Sequence, residues 1–290
     1  MIKGVLNALI YSNLWIALAA VMMVNMTLHQ LQLPLAPAYL LGIIFASTIC
    51  SYTLHRLVAI RNIPKDLPYY PPIVKWSIQY KIFLQLAFGI AAFSSIICFF
   101  ILPIAAQICM IIIGIITLGY SIPLFQLKGK KFKFRDLGIS KIFLISIIWA
   151  ISTGLLPALY YNTSLTNWPL ISIVIERFLF VFIITLPFDI RDMGFDQSQE
   201  LKTIPILIGI PNTKKIAIGL MALLSLLSTV RILYYPTNLA ELIALLAAYI
   251  ITIALVQQTK SNQEEYFYLG LLDGTMILMP TFVGLAYYFN

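Results

Sequence analysis

The sequence predicts an all-α integral membrane protein of nine transmembrane helices, with its N-terminus in the cytoplasm and its C-terminus outside. Three observations carry this. Hydrophobic residues make up 61% of the 290 and charged residues only 10%, with a mean hydropathy of +0.93. A water-soluble domain of this length could not hide so much apolar surface, so the solvent is lipid. Nine segments reach the roughly 20 apolar residues that a bilayer crossing needs, and Lys and Arg are confined to alternate connections between them.

In order, the spans fall at about 8–29, 36–57, 80–102, 104–123, 138–160, 168–188, 213–234, 238–257 and 267–289. The first carries Asn7, Asn13 and Asn25 and no small-residue cleavage site with a polar exit, so a retained span is expected rather than a signal peptide. Arg56, Arg61, Lys65, Lys75 and Lys81 follow span 2. Lys128, Lys130, Lys131, Lys133, Arg135 and Lys141 follow span 4. Arg191, Lys202, Lys214 and Lys215 surround the connection after span 6, and Lys260 follows span 8. The connections near 30–35, 103, 161–167 and 235–237 hold no Lys or Arg. This is the positive-inside pattern, and it requires an odd number of spans.

The net charge of +8 is therefore mostly a topology signal. Attraction to anionic membrane lipids accounts for a basic cytoplasmic face, and no nucleic-acid partner is expected. Cys50, Cys98 and Cys109 lie in or beside apolar runs at spacings that suit neither a disulfide framework nor a metal site. Residues 1–290 read as one transmembrane domain, with a 4+4+1 arrangement of spans suggested by the corresponding positions of the polar segments after spans 2 and 6.

The polar chemistry concentrates in DIRDMGFDQSQELKTIP, Asp189–Pro205. If the helix of span 6 continues through it, Asp189, Asp192 and Asp196 fall on one face at i, i+3 and i+7, and Arg191 points elsewhere. Three partly desolvated carboxylates are tolerable if protonated, if paired with bases, or if they share a cation such as Mg²⁺. A solvated acidic loop bridged to Lys202 or Arg191 is the bland alternative. Lys128 and Arg135 lie on the same face of the membrane. Carboxylates for a metal beside bases are what a diphosphate leaving group requires, and the apolar bundle can hold a hydrocarbon tail.

DIRDMGFDQSQELKTIPILIG resembles the second aspartate-rich motif of the UbiA superfamily of intramembrane prenyltransferases, in its menaquinone-type form with Arg inside the motif. YSIPLFQLKGKKFKFRDLGIS, Tyr120–Ser140, resembles that family's segment between helices 4 and 5. The resemblance spans essentially the whole chain and implies a UbiA-like bundle. It also implies transfer of a prenyl group from a prenyl diphosphate to an aromatic or other lipid-soluble acceptor, with the site on the cytoplasmic side. By position, Asp189, Asp192 and Asp196 would hold one Mg²⁺. Lys128 and Arg135 would contact the diphosphate, helped by Lys202. Asn13 and Tyr120 are candidates to face the cavity.

The family's other aspartate-rich motif, at the end of span 2, is missing. ASTICSYTLHRLVAIRN has no carboxylate, so a second Mg²⁺ is hard to build there. Either Arg56, Arg61 and His55 bind diphosphate directly, with Tyr52 beside them, or the protein binds a prenyl lipid without turning it over. A transporter is a third, weaker alternative. Deeper in the bundle, Arg177 is expected to pair with Glu241. Asp273, about two turns into span 9, either lines the cavity and orients an acceptor or satisfies a structural partner.

Overall fold

In the computed structural model, residues 2–61, 63, 70–122, 125–127, 130–132, 134, 138–235 and 239–289 are described. Seven helices are long and apolar enough to cross a membrane: α3 (Ala38–Arg61), α5 (Lys81–Phe99), the continuous run Ser140–Tyr160, α9 (Trp168–Ser198), α10 (Ile204–Tyr234), α11 (Leu239–Gln258) and Phe267–Tyr288. α1 (Ile2–Tyr11) and α2 (Leu14–Gln30) form an eighth candidate, a pair bent by 60°. α6 (Ile104–Ser121) is a shorter apolar helix, and α4 (Pro72–Gln79) is a brief one that begins at a proline.

The single first span expected at 8–29 is thus broken. Asn13 takes φ 70° at the elbow, a left-handed conformation that Asn tolerates better than most residues. Its Nδ2 donates to Thr53 Oγ1 at 3.0 Å, tying α2 to α3. Asn13 is therefore a buried joint between helices and does not line the cavity described below. Asn13→Ala should cost about 1–2 kcal/mol through the lost bond and the strained backbone; unfolding in mixed micelles measures it.

α2 is the central helix, packed on α3, the C-terminal helix and the middle of the Ser140–Tyr160 run. α9, α10, α11 and the C-terminal helix follow one another around one side, while α3, α6 and the Ser140–Tyr160 run close the other. α5 lies outside on α3 and exposes Ile82, Leu86, Ile90, Phe93 and Ile97 along one stripe, as lipid contact requires. Polar groups turn inward. In several spans hydroxyls bond back to their own helix, as Ser146 does to Ile142 and Thr252 to Ala248.

Two helices contain π turns. The Ser140–Tyr160 run consists of α7 (Ser140–Ala150), a π turn at Ile151–Leu155, and α8 (Leu156–Tyr160). The carbonyl of Thr153 in that turn accepts a 2.8 Å bond from Thr27 of α2. The last span opens with a π turn at Phe267–Leu272 and continues as α12 (Asp273–Tyr288). Such turns widen a helix locally and recur at functional sites. One departure from all-α expectation lies between α6 and α7. Phe125–Leu127 (β1) pairs antiparallel with Lys130–Phe132 (β2).

On the side of the membrane away from the aspartates, a buried ion network crosses the bundle. Arg231 Nε reaches Glu176 Oε1 at 2.9 Å, and its Nη2 reaches Glu241 Oε1 at 2.8 Å. Ser172 and Ser228 also donate to Glu176, and Gln30 and Tyr287 to Glu241. The expected Arg177–Glu241 pair does not form. Arg177 instead donates to Thr27 Oγ1 at 3.0 Å, and Glu241 is taken by Arg231 from the end of α10.

Candidate functional site

α9 continues as a helix to Ser198, so the three aspartates do share a helical surface. They do not share one cation site. Lys141, near the start of α7, places its Nζ 2.8 Å from Asp189 Oδ1 and 2.6 Å from Asp196 Oδ2. All three groups are buried. The cation that these carboxylates need is thus supplied by the chain itself. Gly138 makes this approach feasible: at φ +62°, a Cβ there would lie 2.5 Å from the Lys202 carbonyl oxygen. The segment entering α7 therefore packs against the segment leaving α9.

Asp192 is held differently. Arg191 forks onto it through Nε–Oδ1 at 2.8 Å and Nη2–Oδ2 at 3.1 Å, both partners being partly exposed. The guanidinium lies over the rings of Phe188 and Tyr268, 5.0 and 5.2 Å from their centroids, a favourable seat for a cation. Arg191 does not point elsewhere, as helical spacing suggested; it joins the site.

These groups form the mouth of a cavity of about 400 Å³. Asp189, Asp192, Lys141, Arg191 and His55 line the charged end. Val181, Ile184, Ile145, Ile148, Met110 and Met276 line the apolar end. From Val181 to Asp192 the cavity follows α9 for about 16 Å at 1.5 Å per residue. Along α3 the wall is rich in hydroxyls: Ser47, Thr48, Ser51 and Tyr52. Trp149 Nε1 donates to Tyr52 Oη at 3.2 Å, and the His55 and Tyr120 rings lie 5.8 Å apart. Asp273, which follows the second π turn, also lines the cavity.

Several expected site residues lie elsewhere. Arg56 does not line the cavity, although it lies one helical turn beyond Tyr52 on α3; it is near Glu265 and Tyr11. There Glu265 Oε2 accepts from Tyr11 Oη at 3.1 Å and from the Ile73 backbone amide at 2.9 Å. Arg61, at the end of α3, and Lys202 are exposed and outside the lining. Lys128 and Arg135 fall outside the described residues. Lys141 was counted only among the basic loop residues, since a lysine at the edge of an apolar run ordinarily marks topology.

The metal set changes accordingly. Among the described residues, no group of three or more His, Cys, Asp or Glu could hold a metal ion, so the expected three-aspartate cage is not formed. Asp196 is withdrawn by Lys141. Asp189 Oδ2, however, is buried with no hydrogen-bond partner among the described residues, and Asp189 and Asp192 both line the mouth. One or two carboxylates completed by substrate phosphates and water are the ordinary protein ligands of Mg²⁺. Asp189 and Asp192 fit that smaller role.

Fold and site together define a multi-pass membrane protein whose intramembrane cavity opens at a charged mouth. No family model and no curated protein matches the sequence. Solved structures do match. A UbiA homologue from Archaeoglobus fulgidus bound to GPP and Mg²⁺ has a TM-score of 0.63 at 14% identity, covering 97% of this chain and 99% of that one. An apo UbiA homologue from Aeropyrum pernix K1 has a TM-score of 0.67 at 12% identity, covering 94% and 97%. A digeranylgeranylglyceryl phosphate synthase has 0.59 at 15%, covering 93% and 91%. The chain has the UbiA-like fold that its aspartate motif suggested.

Proposed function

We propose that this protein is a UbiA-like membrane prenyltransferase, moving a prenyl group from a prenyl diphosphate to a lipid-soluble acceptor. The observation that carries the reading is the two-ended cavity, charged beside Asp189 and apolar beneath it. A prenyl diphosphate has the same division. Similar folds have been solved with GPP and Mg²⁺ and with DMAPP and Mg²⁺, which supports the donor class. In this reading the bent α1–α2 pair and the 18-residue α6 complete nine crossings, with the N-terminus and the cavity mouth cytoplasmic.

Asp189 and Asp192 would hold Mg²⁺, which when bound neutralises charge on the leaving diphosphate. The chain's own residues do the rest. Arg191, once released from Asp192, presents a planar fork suited to phosphate oxygens, and its aromatic seat keeps it at the mouth. Lys141 holds the two buried aspartates at a fixed separation and keeps Asp189 Oδ1 engaged, leaving the buried Oδ2 without a protein partner among the described residues. The apolar end seats the chain and excludes water from the reacting carbon. His55 and Tyr52 stand where the sequence lacks the first acidic motif. They bring hydrogen-bonding groups to the α3 wall of the cavity, and the described part of that wall carries no Arg.

Asp189→Asn should lower Mg²⁺-dependent diphosphate release from GPP by roughly 10²-fold or more, the scale of losing a principal electrostatic contact in a dry site. An unchanged rate would remove Asp189 from the mechanism. A second reading has its own observation: Lys141 already neutralises part of the acidic motif, and α3 supplies no carboxylate. A protein that binds a prenyl lipid without turnover would bind GPP equally with or without chelator and release no diphosphate.

A further inference from the structure

The hydroxyls along the cavity are not free donors. Ser47 and Thr48 donate to the Ile44 carbonyl at 3.3 and 2.7 Å, and Ser51 to Ser47 at 2.8 Å. Ser152 donates to Trp149, and Thr185 to Val181 and Phe182. Each therefore turns lone pairs, not protons, toward the cavity. Beside them lies Asp273, half-buried and lining the same space. It makes no hydrogen bond or ion pair among the described residues, which is unusual for a carboxylate at such depth. Tyr52 and Arg191 line the same cavity. The Tyr52 oxygen already accepts from Trp149, so its own proton is available to an entering oxygen.

We infer that Asp273 is a catalytic residue that takes the proton lost by a hydroxyl-bearing acceptor, with Tyr52 orienting the acceptor oxygen. The inference rests on the prenyltransferase reading. In the step, the acceptor oxygen forms a bond to C1 of the prenyl chain as the bond from C1 to the diphosphate oxygen breaks. Diphosphate leaves with the electron pair. The acceptor's O–H proton passes to the Asp273 carboxylate and from there to water at the mouth. Of the carboxylates that line the cavity, Asp189 is tied to Lys141 and Asp192 to Arg191. Asp273 alone has no cation bonded to it. It enters the lining from α12, whereas Lys141 enters from α7.

The test uses the full-length protein in nanodiscs with Mg²⁺, GPP as donor, and 1-naphthol or its methyl ether as acceptor probe. The wild type should prenylate 1-naphthol and not the ether. Asp273→Asn should lose about 100-fold in that transfer, whereas a loss under about threefold would overturn the inference. Asp273→Glu should restore part of the rate. The thermal stabilisation by GPP is expected to be unchanged in Asp273→Asn, showing an intact donor site. Should that variant not fold, Tyr52→Phe decides: raised KM for 1-naphthol with little change for GPP supports the assignment, and unchanged KM overturns it. Wild-type protein that releases no diphosphate from GPP or DMAPP overturns the transfer reading itself, and this inference with it. Transfer that survives in Asp273→Asn overturns this inference alone.

Discussion

Lys141→Met is expected to destabilise the protein by about 3–5 kcal/mol, the usual consequence of removing one partner from a buried ion cluster. Asp189 and Asp196 would be left facing each other, both buried, with the cation between them gone. Unfolding in mixed micelles gives the number, and a change below about 1 kcal/mol would show that Lys141 does not hold the pair. The variant carries a second expectation. Its three aspartates become an oxygen-only set, so Mg²⁺ should raise its unfolding midpoint more than that of the wild type. Equal shifts would mean that the lysine and the metal do not compete for the same carboxylates.

The second large effect belongs to the far side of the bundle. Arg231→Leu should cost about 3–5 kcal/mol, because Glu176 and Glu241 lose their shared guanidinium in a medium that solvates neither. Arg231 is 1% exposed and Glu241 fully buried. The triple variant Arg231→Leu, Glu176→Gln, Glu241→Gln should recover much of the loss, since the amides remain hydrogen-bonded and no charge is stranded. If the triple variant is no more stable than the single one, packing of the arginine stem rather than its charge is what matters. Either outcome is read by the same unfolding measurement.

The membrane bundle was legible because hydropathy and the placement of Lys and Arg report directly on solvent. The aspartate motif was legible because i, i+3 and i+7 spacing survives as long as the helix does. What escaped were features decided by contact between distant segments. The elbow at Asn13 depends on Thr53, forty residues away. Lys141 reaches Asp189 and Asp196 only because Gly138 lets two connecting segments touch. Arg56 failed for a different reason: it shares a helix face with Tyr52, one turn away, and still stays out of the cavity lining.

The two π turns bear on how such a chain can be compared with others. A π turn holds about one residue more than the α-helical turn it replaces. Two spans matched residue for residue, with no gap permitted inside them, therefore fall out of step beyond Ile151–Leu155 and again beyond Phe267–Leu272. Asp273 is the first residue past the second of these turns. An alignment that slides across it by one position pairs this carboxylate with the wrong column, while the backbone around it still superposes.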